Sequence, residues 1–233
     1  MKTRWKHWLL MAGAALSTGG AQAALPLLTE DADVLAARDC EFEAGAFSES
    51  SGGDDTLEQA MNLSCGMGWR TQLGIAAGRL KDADTSKQQR ALGGKLSLWQ
   101  GENGAGAALA AAAIWERVDG HWREATLNLN AAYSRPLPAE LTLHLNLGHR
   151  QNKVESEAST TWATALEHDG FALGSLTLAP MAEVFGNDRS APWWNAGLRL
   201  TLLPDQLSVG LSYGRQINPE RARLATLSVK LAF

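Results

Sequence analysis

Beyond Leu16 the chain contains no long uncharged apolar run. A helix that crosses a bilayer needs about 20 such residues, so no transmembrane helix is expected in the body of the protein. Cysteine is scarce: Cys40 and Cys65 are the only two, which excludes a cysteine-based metal cluster and a Cys-x-x-Cys redox site. Four histidines follow residue 23, namely His121, His144, His149 and His168, and no two have the spacing and acidic partner of a helical zinc site. Glycine groups such as Gly101-Glu-Asn-Gly-Ala-Gly106 lack the Gly-Lys-Ser/Thr of a phosphate loop and read as turns. Base is in short supply as well. The formal charge is -4, and loss of Lys2, Arg4 and Lys6 with residues 1 to 23 would make it -7, a poor match to a nucleic-acid backbone. No cofactor, metal or nucleic-acid partner is expected.

Residues 1 to 23 have the order of a secretory signal: Lys2, Arg4 and Lys6, an apolar stretch from Trp8 to Leu16, and a small-residue cleavage site at Ala21-Gln-Ala23. The chain is therefore expected to be exported by a Gram-negative bacterium. Its expected organisation is a signal peptide over 1 to 23, a periplasmic N-terminal segment over 24 to 38, and one all-β domain over 39 to 233.

From about Asp39 onward the period is two. Leu141, Leu143, Leu145 and Leu147 alternate with Thr142, His144, Asn146 and Gly148, and Leu227, Val229, Leu231 and Phe233 alternate with Ser228, Lys230 and Ala232. About twelve strands are predicted, at 39–48, 56–66, 69–80, 89–100, 106–116, 123–134, 140–150, 159–167, 171–184, 193–202, 206–216 and 222–233. Pro180 falls inside the ninth and demands a bulge or break there. Short connections, such as Gly66-Met-Gly68 and His168-Asp-Gly170, alternate with longer, charged ones, such as Lys81 to Gln88 and Arg150 to Ser159. Tight periplasmic turns and longer outer loops are the habit of outer-membrane barrels. The polar face of the strands is mostly Gly, Ala, Ser, Thr and Asn, whereas a soluble barrel would carry Lys and Glu along its outside. Trp69, Trp99, Trp115, Trp122, Trp162, Trp193, Trp194, Tyr133 and Tyr213 fall near strand ends, as interfacial girdles require. The fold expected is an antiparallel up-and-down transmembrane β-barrel in the bacterial outer membrane.

Pairing the first two strands about Gly52-Gly53 sets Cys40 opposite Cys65 on the apolar face, and in the oxidising periplasm a disulfide is expected. By alternation Lys95, His144, Glu183, Arg199 and Lys230 point into the lumen, with Glu41 and Glu43 beside them. These charges read either as a constriction that selects solutes or as a salt-bridged filling, because barrels of about eight strands are filled and those of sixteen or more leave a channel. A lipid-modifying enzyme would require a Ser or Asp within hydrogen-bond reach of His144 or His149.

Leu25-Pro-Leu-Leu-Thr-Glu-Asp-Ala32 resembles the "Pro-Leu-x-Thr-Asp-Asp-Ala" opening of the phenol-degradation meta-pathway outer-membrane barrels. Ala182-Glu-Val-Phe-Gly186, Gly197-Leu-Arg-Leu-Thr-Leu-Leu-Pro-Asp205 and Leu207 to Gly214 resemble that family's closing strands, and Phe233 resembles the terminal aromatic of assembly-machinery clients. The resemblance implies a transporter-like barrel without established binding residues. The function expected is passive transport or conduction of small molecules, with a plugged structural or surface-interaction barrel as the alternative. The partners expected are outer-membrane lipid and lipopolysaccharide, the barrel-assembly machinery through Phe233, and a small solute.

Overall fold

A computed structural model describes residues 26–82, 85–218 and 222–233. The signal peptide expected over 1 to 23 lies outside the described residues. The strands are β1 (Cys40–Ser51), β2 (Asp54–Gly68), β3 (Thr71–Lys81), β4 (Ser86–Gln100), β5 (Gly106–Val118), β6 (His121–Leu137), β7 (Leu141–Asn152), β8 (Glu157–His168), β9 (Phe171–Leu173), β10 (Leu176–Asn187), β11 (Ser190–Leu203), β12 (Leu207–Gln216) and β13 (Arg223–Ala232). Each pairs antiparallel with its sequence neighbour except at β8, which pairs with β10. β1 pairs with β13 from Glu41↔Ala232 to Ser50↔Arg223, so the sheet closes on itself. Cys40 and Phe233 exchange both backbone hydrogen bonds at the seam, at 2.8 and 2.9 Å.

β9 continues the line of β8. Glu167 lies opposite Met181, and Phe171 opposite Leu178, leaving one extra residue at His168 to Gly170. The barrel thus has twelve walls, the eighth being an interrupted strand. The turn expected at His168-Asp-Gly170 is this bulge, and the hairpin turn lies instead at Gly174-Ser175, where Gly174 takes φ +67°. Pro180 sits in the gap between these two ladders, which is the break expected at a residue with no amide donor, while keeping Leu198 of β11 as its partner on the other side.

The strands run further than expected and shorten the outer connections. Gly52-Gly53, Asp119-Gly120 and Asp188-Arg189 are two-residue turns, and 217–222 is the longest outer link. Alternating burial separates the two faces along every long strand. On β3, Leu73 and Ile75 are 51% and 59% exposed while Gln72 and Ala76 are buried, and on β13 Leu227 is exposed while Thr226 and Ser228 are buried. An apolar outside around a polar inside is the pattern of a barrel solvated by lipid, and the protein is an outer-membrane β-barrel. Trp99, Trp122, Trp162, Trp194 and Tyr213 face outward, as expected of girdles. Trp193 does not: it is 3% exposed and faces the lumen, stacked on Phe185 at 6.4 Å.

Cys40 and Cys65 are register partners with Cα atoms 4.1 Å apart, and they are bridged. A loop of this size contributes about 3.5 kcal/mol in the chain-entropy model. Replacing both cysteines by serine is expected to lower the temperature at which the folded band disappears in a heat-modifiability gel. An unchanged midpoint would mean that the bridge adds nothing to stability.

Candidate functional site in the barrel lumen

Residues 26 to 38 were expected in the periplasm; Pro26 to Ala37 instead cross the lumen as a strap. The physical reason lies in the wall, whose inward positions offer a partner to almost every residue of this segment. Pro26 is admitted by two glycines, since a Cβ at Gly197 would lie 3.0 Å from its Cγ and one at Gly210 would lie 2.7 Å from its Cδ. Leu27 packs against Ala165 and Met181, and Leu28 against the cluster of Phe185, Trp193, Ala222 and Leu224. Burying a leucine fully contributes about 2 kcal/mol.

Polar partners fix the register of the strap. The Glu183 carboxylate accepts from the Leu28 N–H at 3.0 Å, the Thr29 N–H at 2.9 Å, the Thr29 hydroxyl at 2.6 Å and the Asn195 amide at 2.8 Å. Asn146 grips the Glu30 backbone from both sides: its Oδ1 accepts from Glu30 N at 2.7 Å, and its Nδ2 donates to Glu30 O at 2.8 Å. Asn130 donates to the Glu30 carboxylate at 2.7 Å. Lys95 donates to Asp31 at 2.9 Å and to the Asp33 carbonyl at 2.8 Å. The Ala32 and Leu35 amides donate to Ser134 Oγ and Gln72 Oε1. At the periplasmic mouth Ala37 bridges Gly66, where a Cβ would lie 2.0 Å from the Ala36 carbonyl oxygen. This root adjoins the disulfide, because Arg38 N donates to Gly66 O at 3.1 Å.

The five predicted lumen residues all project inward, but they do not gather into one constriction. Glu183 and Lys95 hold the strap. Lys230 pairs with Glu41 at 2.5 Å and stands 4.0 Å from Glu43, while Arg199 pairs with Glu167. His144 Nδ1 lies 2.8 Å from Ser134 Oγ, and its Nε2 lies 3.9 Å from Glu167. Ser134 meets the distance condition set for an enzyme, yet its hydroxyl already accepts from Ala32 and is buried beneath the strap. On the outer side of the strap a cavity of about 130 Å³ is bounded by Leu28, Glu30, Asn130, Asn146, Phe185 and Trp193. It is smaller than the roughly 300–1,000 Å³ of small-molecule sites.

Sequence reasoning passed over the strap and its wall partners Asn130, Ser134, Asn146, Asn195 and Gln72. Two signals were present. Leu27 and Leu28 are too apolar for a solvated linker, and acids at 30, 31 and 33 follow them while Lys95 stands between Gly93 and Ser97 in the middle of its strand face.

A family profile matches residues 9–233, which is nearly the whole chain. The chain belongs to the family of the uncharacterised conserved protein UCP029691. No curated protein matches it. Among solved structures, this family member is similar to the COG4313 outer membrane channel from Pseudomonas putida F1, with TM-score 0.60 and 13% identity over 87% of this chain and 98% of that one. It is similar to the NanC porin, with TM-score 0.55 and 8% identity over 82% and 98%. The KdgM porin, solved in complex with disordered oligogalacturonate, gives TM-score 0.56 and 10% identity over 82% and 99%. At these identities the likeness establishes the transporter-like barrel fold and does not extend to membership of the phenol-degradation meta-pathway family.

With Ala32→Cys as a reporter of docking, Glu183→Ala, which strips the strap of its shared acceptor, is expected to raise the rate of labelling by a maleimide at least tenfold, roughly the effect of one charge-assisted hydrogen bond. An unchanged rate would remove Glu183 from the control of docking.

Proposed function

We propose that this protein is a passive channel for small polar solutes, held shut at rest by its own N-terminal strap. The observation that carries the reading is the contrast between a polar, membrane-crossing lumen and a single non-strand segment that occupies it. Inward acids outnumber inward bases: Glu30, Asp31, Glu41, Glu43, Glu58, Glu116, Glu167 and Glu183 stand against Lys87, Lys95, Arg150, Arg199 and Lys230 among the described residues. An acidic lumen favours cationic or neutral solutes over polyanions. Oligogalacturonate, the ligand in the KdgM complex, is thus a poor guide to the solute here.

Kinship with the phenol-degradation meta-pathway barrels belongs to the same proposal. It is supported by the Leu25 to Ala32 opening, most of which lies in the strap. Phe233, exposed on the outward face at the end of the seam strand, is read as the residue recognised by the assembly machinery. A channel is preferred to an enzyme because the Ser134 hydroxyl is taken up by the strap. The completeness with which Glu183, Asn146 and Lys95 are satisfied favours one rival, a permanently plugged structural barrel.

Planar-bilayer recording separates the two. Wild type is expected to show little conductance, and Gly66→Leu, which leaves no room for the root of the strap, is expected to open steps with a cation-selective reversal potential. Deletion of residues 27–36 should do the same. If both variants run as folded, heat-modifiable barrels and neither conducts, the channel reading is wrong and the plugged barrel stands.

A further inference from the structure

Arg215 on β12 and Arg223 on β13 are directly opposed register partners. Both share the outward face with Leu211, Tyr213 and Leu227, which are 59%, 45% and 54% exposed. Like charges facing each other across a ladder destabilise the pair. Among the described residues neither arginine forms an ion pair. The acid nearest in the ladder, Asp55, is two strands from Arg223 and is hydrogen-bonded to Ser50, the β1 partner of Arg223.

Four other cations at this end are engaged within the protein. Arg79 Nε donates to Ser86 Oγ at 2.7 Å, Arg90 lies 4.2 Å over the Trp122 ring, Arg117 donates to Gln88 at 3.1 Å, and Lys153 pairs with Glu124 at 2.9 Å. Among the described residues the opposed pair is thus a double positive charge on the lipid-facing wall with no acidic partner. Its level is marked by aromatics. Trp194 is the β11 partner of Arg215 and meets Tyr213 edge-on at 6.2 Å, and such rings sit where the headgroups begin. This is the end of the barrel opposite Cys40 and Phe233, hence the outer leaflet.

We propose that Arg215 and Arg223 clamp one phosphate group of lipid A in the outer leaflet. A phosphate monoester offers two charges and several acceptor oxygens, and guanidinium forks bind such groups bidentately, which answers the repulsion between the two side chains. The clamp joins β12 to β13 next to the β1–β13 seam, so lipid A stabilises the closing hairpin from outside.

The test uses the purified full-length mature barrel in a zwitterionic detergent, with lipid A as the probe. Lipid A is expected to raise the heat-modifiability midpoint of wild type, and native mass spectrometry should show one tightly retained lipid A. Arg215→Gln and Arg223→Gln are each expected to weaken retention at least tenfold, and the double variant little more, because one ligand needs both. Arg215→Lys with Arg223→Lys should retain an intermediate affinity, which separates loss of charge from loss of folding. Dephosphorylated lipid A, phosphatidylethanolamine and inorganic phosphate should leave the midpoint unchanged. Equal retention of lipid A by wild type and the double Gln variant, or equal retention of the dephosphorylated lipid, would overturn the proposal. The lumen is untouched by these variants, so either outcome is independent of channel activity.

Discussion

Inside a bilayer no water is available to pair a backbone amide or carbonyl, so a sheet that crosses it must have no free edge. The exchange of hydrogen bonds between Cys40 and Phe233, continued from Glu41↔Ala232 to Ser50↔Arg223, meets that demand and fixes most of the remaining architecture. Closure with strict alternation sends every second side chain to lipid and the rest inward. Twelve walls enclose more space than side chains of Gly, Ala, Ser and Asn can fill, and the remainder is taken by the strap.

The strap in turn explains residues that a bare barrel would not need. Buried carboxylates are costly unless hydrogen-bonded, and Glu183 is tolerable because four donors converge on it, three of them from Leu28 and Thr29. Gly66, Gly197 and Gly210 are small because Pro26 and Ala36 approach where a side chain would stand. Acids predominate inside, paired there with Lys95, Arg199 and Lys230, while arginines such as Arg79, Arg90, Arg215 and Arg223 face out, an arrangement hidden by a modest net charge of -4.

Much of the fold was legible from period and termini. Strand identity, the outward leucines, the Cys40–Cys65 bridge and the inward direction of Lys95, His144, Glu183, Arg199 and Lys230 all follow from a repeat of two, which one residue of error would invert. Strand ends were less legible, because charged residues such as Lys81, Lys87 and Arg117 look like loop in a sequence but remain paired above the membrane. The break at His168 to Gly170 was misplaced because Asp-Gly is a turn signal, and the bulge it makes uses the same backbone freedom.

The sequence by itself determined a barrel, its lipid-facing side and the residues that would look inward, since alternation and the absence of apolar helices are local properties. Only the tertiary structure decided what the inward residues are for. Glu183 and Leu28 are 155 positions apart, and no periodicity relates a carboxylate in one wall to an amide in a segment without secondary structure. Their meeting depends on closure of the barrel, which brings distant walls around one narrow space and obliges its polar groups to find partners there.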